Sequence, residues 1–141
     1  MAGRIGGPKT RCSNTWTEAK FRSFVKGNLR RATQKWKPIQ DCVREARVAR
    51  GIYLCAGCKE EIPNTIKDEN GKRIKNVHVD HINPIVDPAV GWVSYDVMID
   101  RMFCEKDNLQ VLCFSCHKVK TDEEKAIAKA RRTNEDDDDL S

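Results

Sequence analysis

Two periodicities alternate along the chain. After Thr15 the apolar positions recur at helical spacing: at about 100° per residue, Phe21, Phe24, Val25, Leu29, Ala32 and Trp36 share one broad face. Thr15 and Glu18 read as a Thr-x-x-Glu capping box at its start. Pro38 suits the first turn of a second helix, predicted to run to about Arg50 and to stop at Gly51, with Val43, Ala46 and Ile39 inward. From Gly51 the pattern shortens to strands. Ile52-Tyr53-Leu54 and Val77 to Ile82 are apolar or alternating runs, the second stopped by Asn83-Pro84, and Asn108 to Leu112 is a third. Residues 64–76, with Asn70-Gly71 inside, read as a polar hairpin or loop, and residues 84–107 as irregular with a short helix near Tyr95–Phe103. A last helix is expected from Cys116, because Ala126, Ile127 and Ala130 return at helical spacing. This is an α+β chain.

Charge divides the same chain differently. The 141 residues carry a net +5, but residues 1–50 hold 13 Lys and Arg against 3 acids, residues 51–134 hold 13 of each sign, and residues 135–141 hold five acids and no base. The organisation that follows is a flexible basic tail (1–14), a basic helical region (15–50), a neutral domain (51–133) and a disordered acidic tail (134–141). The basic side chains off the apolar face of the first helix, Lys20, Arg22, Lys26, Arg30 and Arg31, together with Arg44, Arg47 and Arg50 of the second, are candidates for phosphate contacts with DNA. An ordinary solvated helix face is the plainer reading, and the scarcity of acids there weighs against it. The acidic tail suits either masking of the basic arm or simple solubility. No run approaches the roughly 18 apolar residues of a membrane span, and the Gly-rich basic start has no secretory pattern, so a cytoplasmic protein is expected.

Only 39% of the residues are hydrophobic, which leaves a small core in need of support. Cysteine supplies a candidate. Of seven cysteines, Cys55/Cys58 and Cys113/Cys116 form two Cys-x-x-Cys pairs. Two such turns brought together offer four thiolates to Zn2+, which prefers a tetrahedron of soft or borderline ligands. Between and beside the pairs lie Asp80, His81, Asn108 and His117. A carboxylate and two imidazoles converging on one point are what a hydrolytic metal site needs: Asp80 and His117 as divalent-metal ligands, His81 as general base. His78, a strand histidine without a partner in this pattern, is assigned no role.

Taken together, Cys55-x-x-Cys58, Val79-Asp80-His81-Ile82-x-Pro84 and Asn108-Leu109-Gln110-x-Leu112-Cys113-x-x-Cys116-His117-x-x-Lys120-Thr121 resemble the HNH endonucleases of the ββα-metal (His-Me finger) superfamily, and more narrowly the small zinc-knuckle HNH proteins of bacteriophages. The resemblance spans residues 30–125. It implies a small ββα-metal finger core with a structural four-cysteine zinc site. It implies His81 as the base that activates water, and Asp80 and His117 as ligands of a catalytic Mg2+ or Mn2+. Asn108 would either orient the base histidine through its loop or ligate the metal. The activity implied is hydrolysis of DNA to 5′-phosphate and 3′-hydroxyl ends in a host cytoplasm, with phage terminase subunits as conceivable partners. A nonenzymatic zinc-knuckle DNA-binding adaptor is the rival expectation; a redox or metal-storage protein would leave the basic arm unexplained. Oligomeric state, cutting mode and sequence preference carry no signal.

Overall fold

The computed structural model describes residues 7–139, the last five of them by backbone alone. The chain divides into two units, Met1–Lys35 and Trp36–Ser141. No helix among the described residues is long and apolar enough to cross a membrane.

In the first unit, strands β1 (Lys9–Arg11) and β2 (Trp16–Thr17) pair antiparallel, and helix α1 (Glu18–Ala32) follows. The basic tail expected over 1–14 is therefore structured from Lys9 onward, and residues 1–6 lie outside the described residues. The turn is built from Cys12, Ser13 and Asn14, all with φ between 53° and 64°. Thr15 is consumed there, its N–H donating to the Arg11 carbonyl and its hydroxyl to the Cys12 carbonyl. The cap of α1 accordingly falls two residues later than predicted: Thr17 Oγ1 accepts the Lys20 N–H at 3.1 Å. Glu18 accepts from Thr10 and Arg11 instead of completing a capping box. The apolar face is only half covered, with Trp16 edge-on to Phe24 and the Arg11 guanidinium 4.2 Å from the Phe21 ring centroid. No α1 residue is fully buried.

The second unit opens at Trp36, which the helical periodicity places on the first helix. It stands instead at the N-cap position of α2 (Lys37–Ala46), its indole N–H donating to the Cys104 carbonyl at 2.7 Å and its ring edge-on to Phe103. α2 ends four residues before the expected Arg50. Arg47 turns extended, and β3 (Arg47–Ala49) pairs with β4 (Ile52–Leu54) across Gly51, whose φ of +72° closes the turn without a Cβ clash. β4 then pairs with β5 (Glu61–Pro63). The 64–76 segment is a hairpin of β6 (Thr65–Lys67) and β7 (Arg73–Lys75), its turn held by Asp68 Oδ1 accepting the Asn70 and Lys72 N–H groups.

Strands β8 (His78–His81) and β9 (Leu109–Leu112) pair antiparallel, with His78 opposite Leu112, Asp80 opposite Gln110 and His81 opposite Leu109. Between them lies α3 (Tyr95–Met102), capped by the Ser94 hydroxyl. α4 (Phe114–Asp139) begins two residues before the expected Cys116 and continues through the acidic residues 135–139, where disorder is expected from composition. Nothing after Gly91 is a glycine or proline, so an established helix meets no backbone stop, and propagation by one residue costs little. Residues 140–141 of that tail lie outside the described residues. The core joins Cys42 of α2, Cys55, Ile62, Val77, Cys113, and Leu109, Val111 and Leu112 of β9, so two of the paired cysteines are core residues. Asn76, 4% exposed, stitches this core together: its Nδ2 donates to the Pro63 carbonyl, and its Oδ1 accepts the Phe114 N–H at the start of α4. One of the orphan donors of that helix is thereby satisfied.

Candidate metal centre and the β8–α4 site

The turn between β4 and β5 carries Cys55 and Cys58, and the junction of β9 with α4 carries Cys113 and Cys116. Their four Sγ atoms lie within 4.8 Å of one another, the only such group of three or more metal-binding side chains among the described residues. Zinc at about 2.3 Å from each sulfur would place them roughly 3.8 Å apart, so small adjustments close a tetrahedron. Backbone N–H groups already point at the sulfurs, Cys113 N–H at Cys55 Sγ (3.3 Å) and Cys116 N–H at Cys113 Sγ (3.4 Å). Gly57 is needed for this approach: a Cβ there would lie 3.0 Å from Cys116 Sγ and 3.3 Å from a Leu112 methyl. Lys59 takes φ +64°, turning the chain back so that the Cys55 N–H reaches the Glu60 carbonyl.

The thiols compete for protons in a way a cation would resolve. Burial opposes ionisation of Cys55, but the N–H groups of Cys113, Cys58 and Gly57 outweigh it and bring its pKa down to about 6. Cys116, hydrogen-bonded to the Cys113 sulfur and desolvated, is pushed up to about 12. The donor set, its closeness and its inward amides fit a closed structural zinc site.

The second cluster is set by the register of β8. Side chains alternate across a strand, so His78 and Asp80 share one face and His81 takes the other. On the first face, α4 presents His117 and Lys120 at i, i+3. The His117 ring stacks on His78, centroids 4.7 Å apart and planes 7° from parallel. Lys120 Nζ meets Asp80 Oδ1 at 3.2 Å, Asp80 Oδ2 at 3.0 Å, the His81 carbonyl at 2.8 Å and Glu124 Oε1 at 2.6 Å. Gln110, opposite Asp80, donates to its Oδ2 at 2.9 Å. Asp80 is thus a buried carboxylate, 9% exposed, held by the donors of Lys120 and Gln110. For Lys120, burial works against the charge and the bonds to Glu124 and Asp80 win, raising its pKa. His78 goes the other way: burial first, then the His117 and Lys75 charges, lower its pKa against the bond to the Lys75 carbonyl.

On the opposite face His81 Nε2 lies 2.9 Å from the Met102 carbonyl. A carbonyl only accepts, so Nε2 carries the proton and Nδ1 is left as the ring's basic nitrogen. Met102 is the last residue of α3 and has one of the helix's unpaired carbonyls, which the imidazole satisfies. Asn108 pins the loop leaving β8 from three sides: its Oδ1 accepts the Asn83 N–H (2.8 Å), its Nδ2 donates to the Asn83 carbonyl (3.3 Å), and its own carbonyl accepts the Ile82 N–H (2.8 Å). These bonds tie the loop that follows His81 to the residue that precedes β9.

The expected convergence of Asp80, His81 and His117 on one point is not formed: Asp80 and His117 lie on one face of β8, the latter against His78, His81 lies on the other face, and Asn108 borders the loop that follows it. Sequence reasoning missed His78, Lys120 and Glu124. The first has no partner within the sequence pattern. The other two were readable as an i, i+4 pair on the same helix face as His117.

Of the candidate DNA-contacting residues, Lys20, Arg30, Arg31, Arg47 and Arg50 are exposed, Arg22 and Lys26 half-buried, and Arg44 is exposed but paired to Asp41. Arg22, Lys26 and Arg30 fall at i, i+4, i+8 on α1, a row of like charges that starts one turn after Glu18, whose carboxylate the Arg11 and Thr10 bonds, and then the Arg22 charge, help to keep ionised. Burial, then the charge of Arg30, lowers the pKa of Lys26. Compared with known proteins, the chain matches no family model, no curated protein and no solved structure.

Proposed function

We propose that this protein is a metal-dependent DNA endonuclease of the HNH type, phage-encoded, hydrolysing phosphodiester bonds to leave 5′-phosphate and 3′-hydroxyl ends. The observation that carries the reading is the tautomer of His81. Its Nε2 proton is committed to the Met102 carbonyl, so Nδ1 is the acceptor a water molecule would use, and the ring is held on a rigid strand, on the face opposite the buried carboxylate of Asp80. Asn108 fixes the loop that follows His81 and so keeps that ring in place. The four cysteines hold the β9–α4 junction, which brings His117 and Lys120 over β8. Asp80 and His117 would hold a hard divalent cation, Mg2+ or Mn2+, which would supply charge neutralisation for phosphodiester hydrolysis. The basic row on α1 supplies sequence-independent affinity for the phosphate backbone. Work beside terminase during genome packaging, in a host cytoplasm, is the biological setting this proposal extends to.

One observation favours the rival adaptor reading. Asp80 already holds an internal cation and His117 already stacks on His78, so the divalent ligands are not assembled. Incubating the zinc-loaded protein with supercoiled plasmid and each of Mg2+, Mn2+ and Ca2+ tests the two readings. Nicked DNA whose ends a ligase reseals supports the nuclease. Binding without cleavage in every metal supports the adaptor.

A further inference from the structure

The Lys120 ammonium sits in a cradle made for more than it can satisfy. Four oxygens lie within 3.2 Å of Nζ: both carboxylate oxygens of Asp80, the His81 carbonyl and Glu124 Oε1. An ammonium has three N–H donors, so one oxygen must share or go without. Divalent hard cations, by contrast, take six or more oxygen ligands. Charge points the same way. Asp80 and Glu124 bring two negative charges to one lysine, so the cradle keeps a net charge of −1 that a dication in the lysine's place would cancel. The cradle is also sheltered, the side chains of Lys120 and Asp80 being 24% and 10% exposed.

Taking Asp80 as the divalent-metal ligand, on which this inference rests, we propose that Lys120 is a resident cation: it neutralises the buried Asp80 carboxylate while no metal is bound, and it must leave for the metal to enter. Lys120 then sets the threshold metal concentration of the site. Glu124, which shares the Nζ on the face of α4 that also carries His117, is the anchor that decides how firmly the lysine stays. On departure the ammonium remains tethered one helical turn from His117, within reach of an anion brought to the same face. An ordinary structural ion pair predicts the opposite behaviour, since removing its lysine would only disorder Asp80 and weaken whatever Asp80 binds.

Mn2+ binding to the zinc-loaded full chain distinguishes these cases without any cleavage readout. Free Mn2+ is followed by electron paramagnetic resonance for wild type, Lys120→Met, Lys120→Gln and Lys120→Arg, and for each of these carrying Asp80→Asn as well, with one zinc per chain as the criterion of folding. Lys120→Met is expected to bind about tenfold more tightly than wild type, because no ammonium has to be expelled from a site of low effective dielectric. Lys120→Gln, which keeps a hydrogen bond for Asp80 and guards against a folding failure, should tighten in the same direction. Lys120→Arg should stay near wild type, and Asp80→Asn should abolish the site in every background. Unchanged or weaker Asp80-dependent binding in both neutral variants overturns the role of Lys120 and leaves the nuclease reading standing. Equal tightening by Lys120→Arg overturns it too, since charge would not be the cause. Absence of Asp80-dependent Mn2+ binding in all variants overturns both the inference and the metal-dependent reading beneath it.

Discussion

Removal of zinc is expected to unfold the Trp36–Ser141 unit outright. The apolar core among the described residues contains eight aliphatic side chains besides cysteine: Ile62, Val77, Ile85, Met98, Met102, Leu109, Val111 and Leu112. At about 1.5–3 kcal/mol for each fully buried side chain they contribute roughly 12–24 kcal/mol before conformational entropy is charged against them. A four-cysteine zinc contributes about 10 kcal/mol or more of folding free energy in small domains, against a net stability of about 5–15 kcal/mol for a typical domain. The metal is therefore worth as much as the whole margin. The cysteines that would hold it are part of the core and not beside it, since Cys55 is fully buried and Cys113 nearly so. Stripping the protein with a strong chelator should release one zinc per chain, measured with a chromogenic indicator. The near-ultraviolet circular dichroism of the tryptophans and the cooperative thermal transition should vanish with it. Cys113→Ser should reproduce this, whereas Cys42→Ser, equally buried but outside the sulfur cluster, should keep its zinc and melt cooperatively at a somewhat lower temperature. A stripped protein that melts cooperatively within a few degrees of the loaded one would refute the reasoning.

Three further outcomes follow from the same geometry. Gly57→Ala should lose about 1–3 kcal/mol in urea titrations and release zinc faster, because its Cβ would press on Cys116 and Leu112; a neutral effect would mean the knuckle relaxes freely. In metal-stripped protein driven back to the folded state by a stabilising osmolyte such as sucrose, stability to urea should rise from pH 6 to pH 9, because folding lowers the Cys55 pKa from 9.0 to about 6 and the unfolded chain holds the extra proton in that window. Above pH 9 stability should fall, since Cys116 is raised to about 12 and Cys58 is also raised, so the folded state then holds more protons; a profile flat between pH 6 and 9 contradicts the assignment. Replacing Arg22, Lys26 and Arg30 together by Ala should weaken duplex binding and lower the magnitude of its salt slope by about 0.9 for each phosphate that is no longer neutralised, read from fluorescence anisotropy between about 50 and 200 mM salt; an unchanged slope removes α1 from the interface.

What could be read in advance depended on how local the cause was. β8 and β9 were legible because β-branched and apolar residues alternate there and Asn83-Pro84 ends the first strand. The two Cys-x-x-Cys turns were legible because a metal knuckle is a property of four adjacent residues. Their meeting across 54 intervening residues followed only from zinc chemistry. The end of α2 was not legible. Arg47 to Ala49 are compatible with a helix, and the pairing with Tyr53 and Ile52 that draws them into a strand is a tertiary choice. The cap of α1 was misplaced because Thr15 and Thr17 are both plausible caps, and only the left-handed run from Cys12 to Asn14 decides which is spent on the turn. At the site, residue types are readable in the sequence, but which of them meet depends on strand parity. Asp80 and His81 are neighbours in sequence and lie on opposite faces of β8, which is why His78 and not His81 meets His117.

The proposed chemistry stands or falls with His81. Rates of plasmid nicking by zinc-loaded wild type and His81→Ala, compared in Mg2+ at equal DNA occupancy, are expected to differ by at least about 100-fold, with folding and duplex affinity unchanged. Equal rates in the two proteins, or no nicking by wild type in any divalent metal, would contradict a hydrolase built on this imidazole.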